Sequence, residues 1–306
     1  MEGSVIADRF MIYLSQLANA LVIGTLYALM SLGLSLIFGV LKLVNFAHGE
    51  FLMVGGYLYF LLCALKLPLW LALVLSIPLL FFVGFIVERG FLRSPYQKKM
   101  ARYDEYVILV TFVLGIFLQN LALPIFGPYN RQAPPLFQGS VRLGELVIGA
   151  DRLTGAIIAF FVIGGLLFFL YFTYYGKGLR AVAQSPAAAS IVGIKVLRMR
   201  AVAFGLGITL AGIAGALFGP VFLVNPEMGT SFAVKAFVIV VLGGMGSIKG
   251  SIIGAYILAI VEIFGSILLL DPSRALAYKD AYGLLLLVII LILRPQGLFG
   301  EKERRA

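Results

Sequence analysis

An all-α, polytopic transmembrane helix bundle of about eight to ten spans, some of them discontinuous, is predicted by three observations. Of 306 residues, 61% are apolar and only 12% are charged. Soluble domains run at about 45–50% and roughly 25%, and the mean hydropathy here is +1.05. Apolar runs of spanning length, about 20 residues, recur along the chain. These runs are continuous, whereas the strands of a membrane barrel alternate over about ten residues. A water-soluble enzyme is excluded because it would have no surface to show water. Disorder and collagen are excluded by the apolar content and by 35 glycines without a three-residue period.

In order, spans are expected near 11–38, 50–65, 69–87, 106–126, 153–175, 201–222, 233–245, 251–270 and 281–294. The first ten residues carry Glu2 and Asp8 against Arg9, with no basic n-region and no small-residue cleavage site. The first span is therefore expected to stay rather than to leave as a signal peptide. A break at Gly33 or Gly39 would split the run 11–38 into two crossings and reverse the side of the N-terminus. Fourteen of the 24 Lys and Arg fall in three segments, 88–105, 176–200 and the tail from Arg294 with Lys302, Arg304 and Arg305. The positive-inside rule places these segments, and hence the C-terminus, in the cytoplasm. Loops 127–152 and 271–280 then fall on the other side. The formal charge of +10 is thus explained by topology and not by nucleic acid. The single Cys63 excludes an intrachain disulfide, and with one histidine, His48, a zinc site lacks ligands. No metal or cofactor is expected in this chain, which reads as one transmembrane domain over 1–306.

Two polar breaks interrupt the apolar pattern. Asn45-Phe46-Ala47-His48-Gly49-Glu50 is the first, and Gly243-Gly244-Met245-Gly246-Ser247-Ile248-Lys249-Gly250 the second. Each precedes an apolar helix carrying a Gly and then a Tyr (Gly56-Tyr57 and Gly254-Ala255-Tyr256), a weak echo of the kind left by duplicated transporter halves. Non-helical backbone at membrane depth survives only when buried in protein or lining a wet cavity. The breaks are therefore candidates for a translocation path, with ordinary surface loops as the alternative. Lys42, His48, Glu50, Lys235, Lys249 and Glu262 are the ionisable residues at membrane depth, where a charge costs at least about 2.5–3.5 kcal/mol. Candidate pathway residues are Asn45, His48, Glu50, Asn225, Glu227, Gly243, Gly244 and Glu262. The spacings Gly246/Gly250/Gly254 and Gly215/Gly219 suit close helix packing.

No Walker A loop, nucleophile elbow, His-Glu-x-x-His or paired cysteines occur. The segment Tyr175 to Lys195 is more informative. Ser185 suits an N-cap, Pro186 the first helical position, Ala187 to Val192 a short helix and Gly193 the left-handed position after it. A capped helix between two spans, flanked by positive charge, can dock into a groove on a cytoplasmic partner. A plain amphipathic surface helix is the alternative.

Four motifs then occur in order: Asn45-Phe46-Ala47-His48-Gly49-Glu50-Phe51, the Gly-Leu-Arg-Ala…Gly193-Ile194 loop, Lys235-Ala236-Phe237 with Val241 to Ser247, and Arg294-Pro295-Gln296-Gly297-Leu298-Phe299-Gly300. Together, over about residues 10–300, the chain resembles the LivH-type inner-membrane permease subunit of branched-chain amino-acid ABC transporters. That resemblance implies a multi-pass prokaryotic inner-membrane subunit that is not itself an enzyme. It also implies a second homologous permease subunit, two cytoplasmic ATPase subunits that bind ATP and Mg, and an extracytoplasmic substrate-binding protein. Arg180, Ser185, Pro186, Ala187, Ala188, Ala189, Gly193 and Ile194 correspond to the ATPase-coupling segment. Ser185 stands where an acidic residue is frequent, and Lys249 where proline is common. Urea, amides or other small solutes are alternative cargoes within the family. A proton-coupled secondary carrier using Glu262, Glu50 or His48 is the alternative outside it.

Overall fold

The structure, a computed structural model, describes residues 2–143, 146–268 and 278–300. Helix α1 (Glu2–Leu41) is followed by α2 (His48–Ala64) and α3 (Leu69–Val87). A π turn (Glu88–Leu92) and α4 (Arg93–Gln97) extend α3, and α5 (Tyr103–Phe126) returns. Strands β1 (Ser140–Leu143) and β2 (Leu146–Gly149) precede α6 (Ala150–Phe172). The short α7 (Tyr174–Gln184) and α8 (Pro186–Ile191) lead into α9 (Val196–Phe222). Helices α10 (Met228–Gly243), α11 (Ile248–Leu268) and α12 (Lys279–Leu293) complete the bundle. Among the described residues, six helices are long and apolar enough to cross a membrane, and 48–64, 228–243 and 280–293 are shorter apolar helices. The chain is a multi-pass helical membrane protein. Lys302, Arg304, Arg305 and most of loop 271–280 lie outside the described residues.

Helix α1 runs unbroken through Gly33 and Gly39, so the first apolar run makes one crossing. It and α9 are apolar around most of their circumference and form the centre of the bundle, with α2, α10 and α11 packed against them. Helices α3, α5 and α6 lie further out and expose Val74, Phe82, Leu109, Phe112, Phe160 and Phe161, a surface that suits acyl chains and not water. Glycine sets the closest approaches. Gly55 lies on the backbone of Gly212, Gly215 on the Leu52 carbonyl, and Gly250 on that of Gly243. A side chain at any of these would strike backbone, the arrangement by which helices associate in lipid. Gly254 faces the Ile239 carbonyl and Gly219 faces Ala133 and Val224, so both glycine repeats serve packing.

Two features depart from the sequence reading. Segment 127–152, expected as a loop, contains an antiparallel hairpin with Val141 opposite Ile148 and Arg142 opposite Val147. Its strands of four residues are too short for alternation to register as a signal. The π turn after α3 adds one residue to a helical pattern, which leaves hydropathy unchanged. Among the described residues, the nine expected spans fall in order on α1, α2, α3, α5, α6, α9, α10, α11 and α12, three of which are shorter than a full span.

Gly215→Leu is expected to destabilise the purified protein by about 1–3 kcal/mol through overpacking against α2. Gly164→Leu on the open outer face of α6, where nothing lies within 4 Å, should leave stability nearly unchanged. Thermal unfolding of both variants in one detergent compares them.

Candidate functional site

The first break folds back into the bundle. Lys42 takes a left-handed backbone (φ 58°) just past α1 and turns the chain inward. His48, 0% exposed, places Nε2 3.0 Å from the Met30 carbonyl oxygen, and its ring abuts Gly33. A carbonyl only accepts, so Nε2 carries the proton and Nδ1 is left as an acceptor. Met30 and Gly33 stand well before the end of α1, about 12–17 Å along the helix at 1.5 Å per residue. The turn itself is held locally. Asn45 Oδ1 accepts from the Ala47 N–H at 3.1 Å, and Thr111 Oγ1 of α5 accepts from the Phe46 N–H at 3.2 Å.

Glu50 follows in the first turn of α2. Its carboxylate lies against Gly229 and accepts from Thr230 Oγ1 at 3.2 Å, so it sits at the N-terminus of α10 as well as that of α2. Two helix dipoles favour a negative charge there. Asn45 Nδ2, His48 Nδ1 and Glu50 Oε2 are all buried without a protein partner. Unpaired buried groups cost about 1–3 kcal/mol each, so three at one break make a polar patch able to engage a polar solute. Thr111 and Thr230 were not among the expected residues. A hydroxyl inside an apolar run bonds its own helix as readily as a neighbour, as Thr111 also does with the Val107 carbonyl at 2.8 Å.

Glu262 belongs to a second cluster on the far side of α10. Its side chain is 1% exposed, with Oε1 2.5 Å from Lys235 Nζ and Oε2 accepting from the Tyr27 hydroxyl at 2.8 Å. Lys235 also reaches Asp280 Oδ1 at 2.5 Å. A cavity of about 250 Å³ opens beside these groups and includes Thr230, whose hydroxyl also bonds Glu50. Helix α10 thus connects the two clusters. Lys235 was read as an ionisable residue at depth but not as a pathway residue, and Asp280 only as part of a loop. The signal available was the opposite signs of Lys235 and Glu262 on successive spans.

The remaining pathway candidates lie apart from these. Asn225 Nδ2 donates to Asn130 Oδ1 at 3.0 Å, while its Oδ1 accepts from the Glu227 N–H at 3.0 Å, in the exposed α9–α10 connection. The second break lies beside the end of α1, where Gly246 approaches Gly39. Gly243 and Gly244 are covered by the segment 297–300. Leu298 N–H donates to the Leu242 carbonyl at 2.8 Å and Phe299 N–H to that of Gly243 at 3.0 Å. These bonds satisfy carbonyls that the end of α10 would otherwise leave open. Gly244 (φ 97°) and Gly297 (φ 76°) supply the left-handed turns that permit the contact. Lys249 is exposed in the first turn of α11.

At the basic end, α7 and α8 meet at Ser185. Ser185 Oγ accepts from the Ala188 N–H at 3.2 Å, Pro186 occupies the first turn, and Gly193 ends the segment at φ 82°. The Ile194 N–H donates to the Ala189 carbonyl at 3.0 Å, which closes the helix end. Ala189 is buried, whereas Pro186, Ala187 and Ala188 are exposed and Ile191 and Val192 are 85% and 74% exposed. Arg180 of α7 lays its guanidinium 4.8 Å from the Tyr171 ring centroid. The result is a rigid elbow whose tip is apolar.

Lys235→Met takes away the cation facing a buried carboxylate and is expected to cost about 3 kcal/mol, since breaking a buried pair from one side is the expensive change. Lys235→Met/Glu262→Gln should recover part of that loss. Thermal unfolding of the single and double variants checks the order, which independent sites would not produce.

Residues 16–293 match the family described as branched-chain amino acid transport system / permease component. The high-affinity branched-chain amino acid transport system permease protein BraD of Pseudomonas aeruginosa is 31% identical, over 95% of this chain and 97% of its own. The corresponding protein LivH of Escherichia coli K12 is 31% identical over 97% of this chain and 98% of its own. LivM of the same organism, also a permease protein of that system, is 28% identical over 89% of this chain and 67% of its own. With one family match across nearly all the spans and relatives aligned end to end, the chain belongs to the branched-chain amino acid transport system permease family.

Proposed function

We propose that this chain is the membrane-spanning permease subunit of an ATP-driven importer for branched-chain or other hydrophobic amino acids, seated in a prokaryotic inner membrane. It forms half of the translocation pathway and couples to separate ATPase subunits. The observation that carries the reading is the α7–α8 elbow. A partner that pushes on a membrane bundle needs a lever that does not deform, and α8 is capped at both ends. Its apolar tip, Ile191 and Val192, offers a surface that a groove on a cytoplasmic protein can bury. The basic residues of 88–105 and 176–200 support a cytoplasmic side for that tip and for the C-terminus.

Family membership supports amino acids as cargo and a second, related permease as partner, since both LivH and LivM resemble this chain. An extracytoplasmic binding protein would deliver the cargo. The polar patch at Asn45, His48 and Glu50 and the Lys235–Glu262–Asp280 cluster are the groups past which a zwitterion would move. Closure of the ATPases on ATP would shift the elbow and re-expose these groups to the opposite side.

Purification of the tagged chain from its native membrane in mild detergent should bring down a second permease and two Walker-motif ATPases, identified by mass spectrometry. A chain recovered alone that carries substrate on a proton gradient would refute the importer reading. Gly193→Val puts a β-branched residue in a left-handed position, and deletion of 186–192 removes α8. Each is expected to abolish ATPase co-purification while membrane insertion, followed by protease protection, is unchanged. Glu50→Leu should reduce uptake of radiolabelled leucine at least about tenfold without loss of ATPase association, since it removes a charge at membrane depth.

A further inference from the structure

A cavity of about 690 Å³ lies at the basic end of the bundle, where α3 and its π turn meet the start of α9. It is separate from both intramembrane polar clusters. Phe81, Phe85, Arg89 and Arg93 line one wall, and Lys195 and Arg198 the other. The first four are spaced four residues apart on one helix face, so the wall changes from aromatic to cationic along the helix axis. Phe81 and Phe85 stack at 6.3 Å, and the Arg89 guanidinium lies 4.7 Å from the Phe85 ring centroid. No carboxylate lines the cavity, because Glu88, though adjacent in sequence, is fully buried. Among the described residues, none of the four cations makes an ion pair within 4 Å. The buried Glu88 carboxylate offsets part of the charge of Arg89 and Arg93, while Lys195 and Arg198 face no carboxylate in the lining.

The position matters as much as the charge. Just before the cavity, α3 exposes Val74, Leu79, Phe82 and Ile86 on its outer face. The apolar run ends at Val87, and the cations begin two residues later. The cavity therefore straddles the boundary between hydrocarbon and water, with its apolar half continuous with the lipid-facing surface. A molecule with acyl chains and an anionic head matches both halves, whereas a free anion would use only one.

We propose that this cavity binds the phosphate headgroup of an anionic phospholipid, held by Arg89, Arg93, Lys195 and Arg198, with the acyl chains running past Phe81 and Phe85 along α3. The site bridges α3 and the link that joins α8 to α9, so an occupied site ties the elbow to the outer wall of the bundle. It does not depend on which solute is carried.

Native mass spectrometry of the full-length chain in mild detergent tests this with dioleoylphosphatidylglycerol against dioleoylphosphatidylcholine. The expected result is preferential retention of the anionic lipid. Arg89→Gln/Arg93→Gln and Lys195→Gln/Arg198→Gln, made separately, should each weaken it by about tenfold or more, given the strength of a basic residue near an anionic lipid. Arg89→Lys/Arg93→Lys, which keeps the charge, and Lys66→Gln/Arg142→Gln, remote from the cavity, should retain it and show that folding is intact. Equal retention of the two lipids, or unchanged preference in the Gln variants, would overturn the proposal. So would displacement of the lipid by inorganic phosphate alone. Loss of co-purifying ATPase subunits with the lipid preference intact would assign the cavity to the ATPase instead. A failure of the importer reading leaves the lipid measurement unaffected.

Discussion

Backbone meeting backbone at glycine is the contact on which the rest of this bundle depends. Lipid supplies no hydrophobic force between helices, so they are held by how closely they fit. Gly55 on Gly212, Gly215 on Leu52 and Gly49 on Gly229 bring α2, α9 and α10 nearer than any side chain would allow. That closeness is what lets the non-helical turn at 42–47 enter the bundle, where Leu43, Asn45 and Ala47 are buried and the Phe46 N–H donates to Thr111 Oγ1 on α5. Without the glycine seam, the same turn would present open amides to lipid, which the bilayer does not tolerate.

The seam also decides where charge can sit. Glu50 is placed at the N-termini of two helices, and Glu262 is placed against Lys235 and Tyr27. The first carboxylate is stabilised by dipoles and the second by an opposite charge and a hydroxyl. These are two solutions to the same desolvation cost, separated by the width of α10. The elbow at α7–α8 is built on different terms: a serine cap, a proline and a left-handed glycine fix its bend, while Leu179, Val182 and Ala189 seat it against the bundle.

Much of this was legible in the residues. Continuous apolar runs showed the bundle and the order of its spans, and Ser185, Pro186 and Gly193 showed the elbow nearly residue by residue, because capping is a local property. The ordered motifs pointed to the permease family, which the end-to-end relatives bear out. The partners of the buried charges were legible at most as opposite signs on successive spans. That Glu262 faces Lys235, or that Thr230 serves Glu50, follows from helix rotation and depth, which hydropathy does not encode. The two polar breaks looked alike as sequence, yet one turns into the bundle and the other lies beside the end of α1. What separates them is the C-terminal segment that covers Gly243 and Gly244, a long-range contact no local pattern announces.

That covering segment bears on how the protein is made. Leu298 and Phe299 supply the hydrogen-bond donors that finish α10, although α11 and α12 lie in between. A ribosome delivers α10 to the membrane long before its closing donors exist, so the helix enters with its last carbonyls open to water or to the insertion machinery. The turn after α10 acquires its final form only when Leu298 and Phe299 arrive. The motif at 294–300 thus acts as a fastener that reaches α10 only after α11 and α12 have been made.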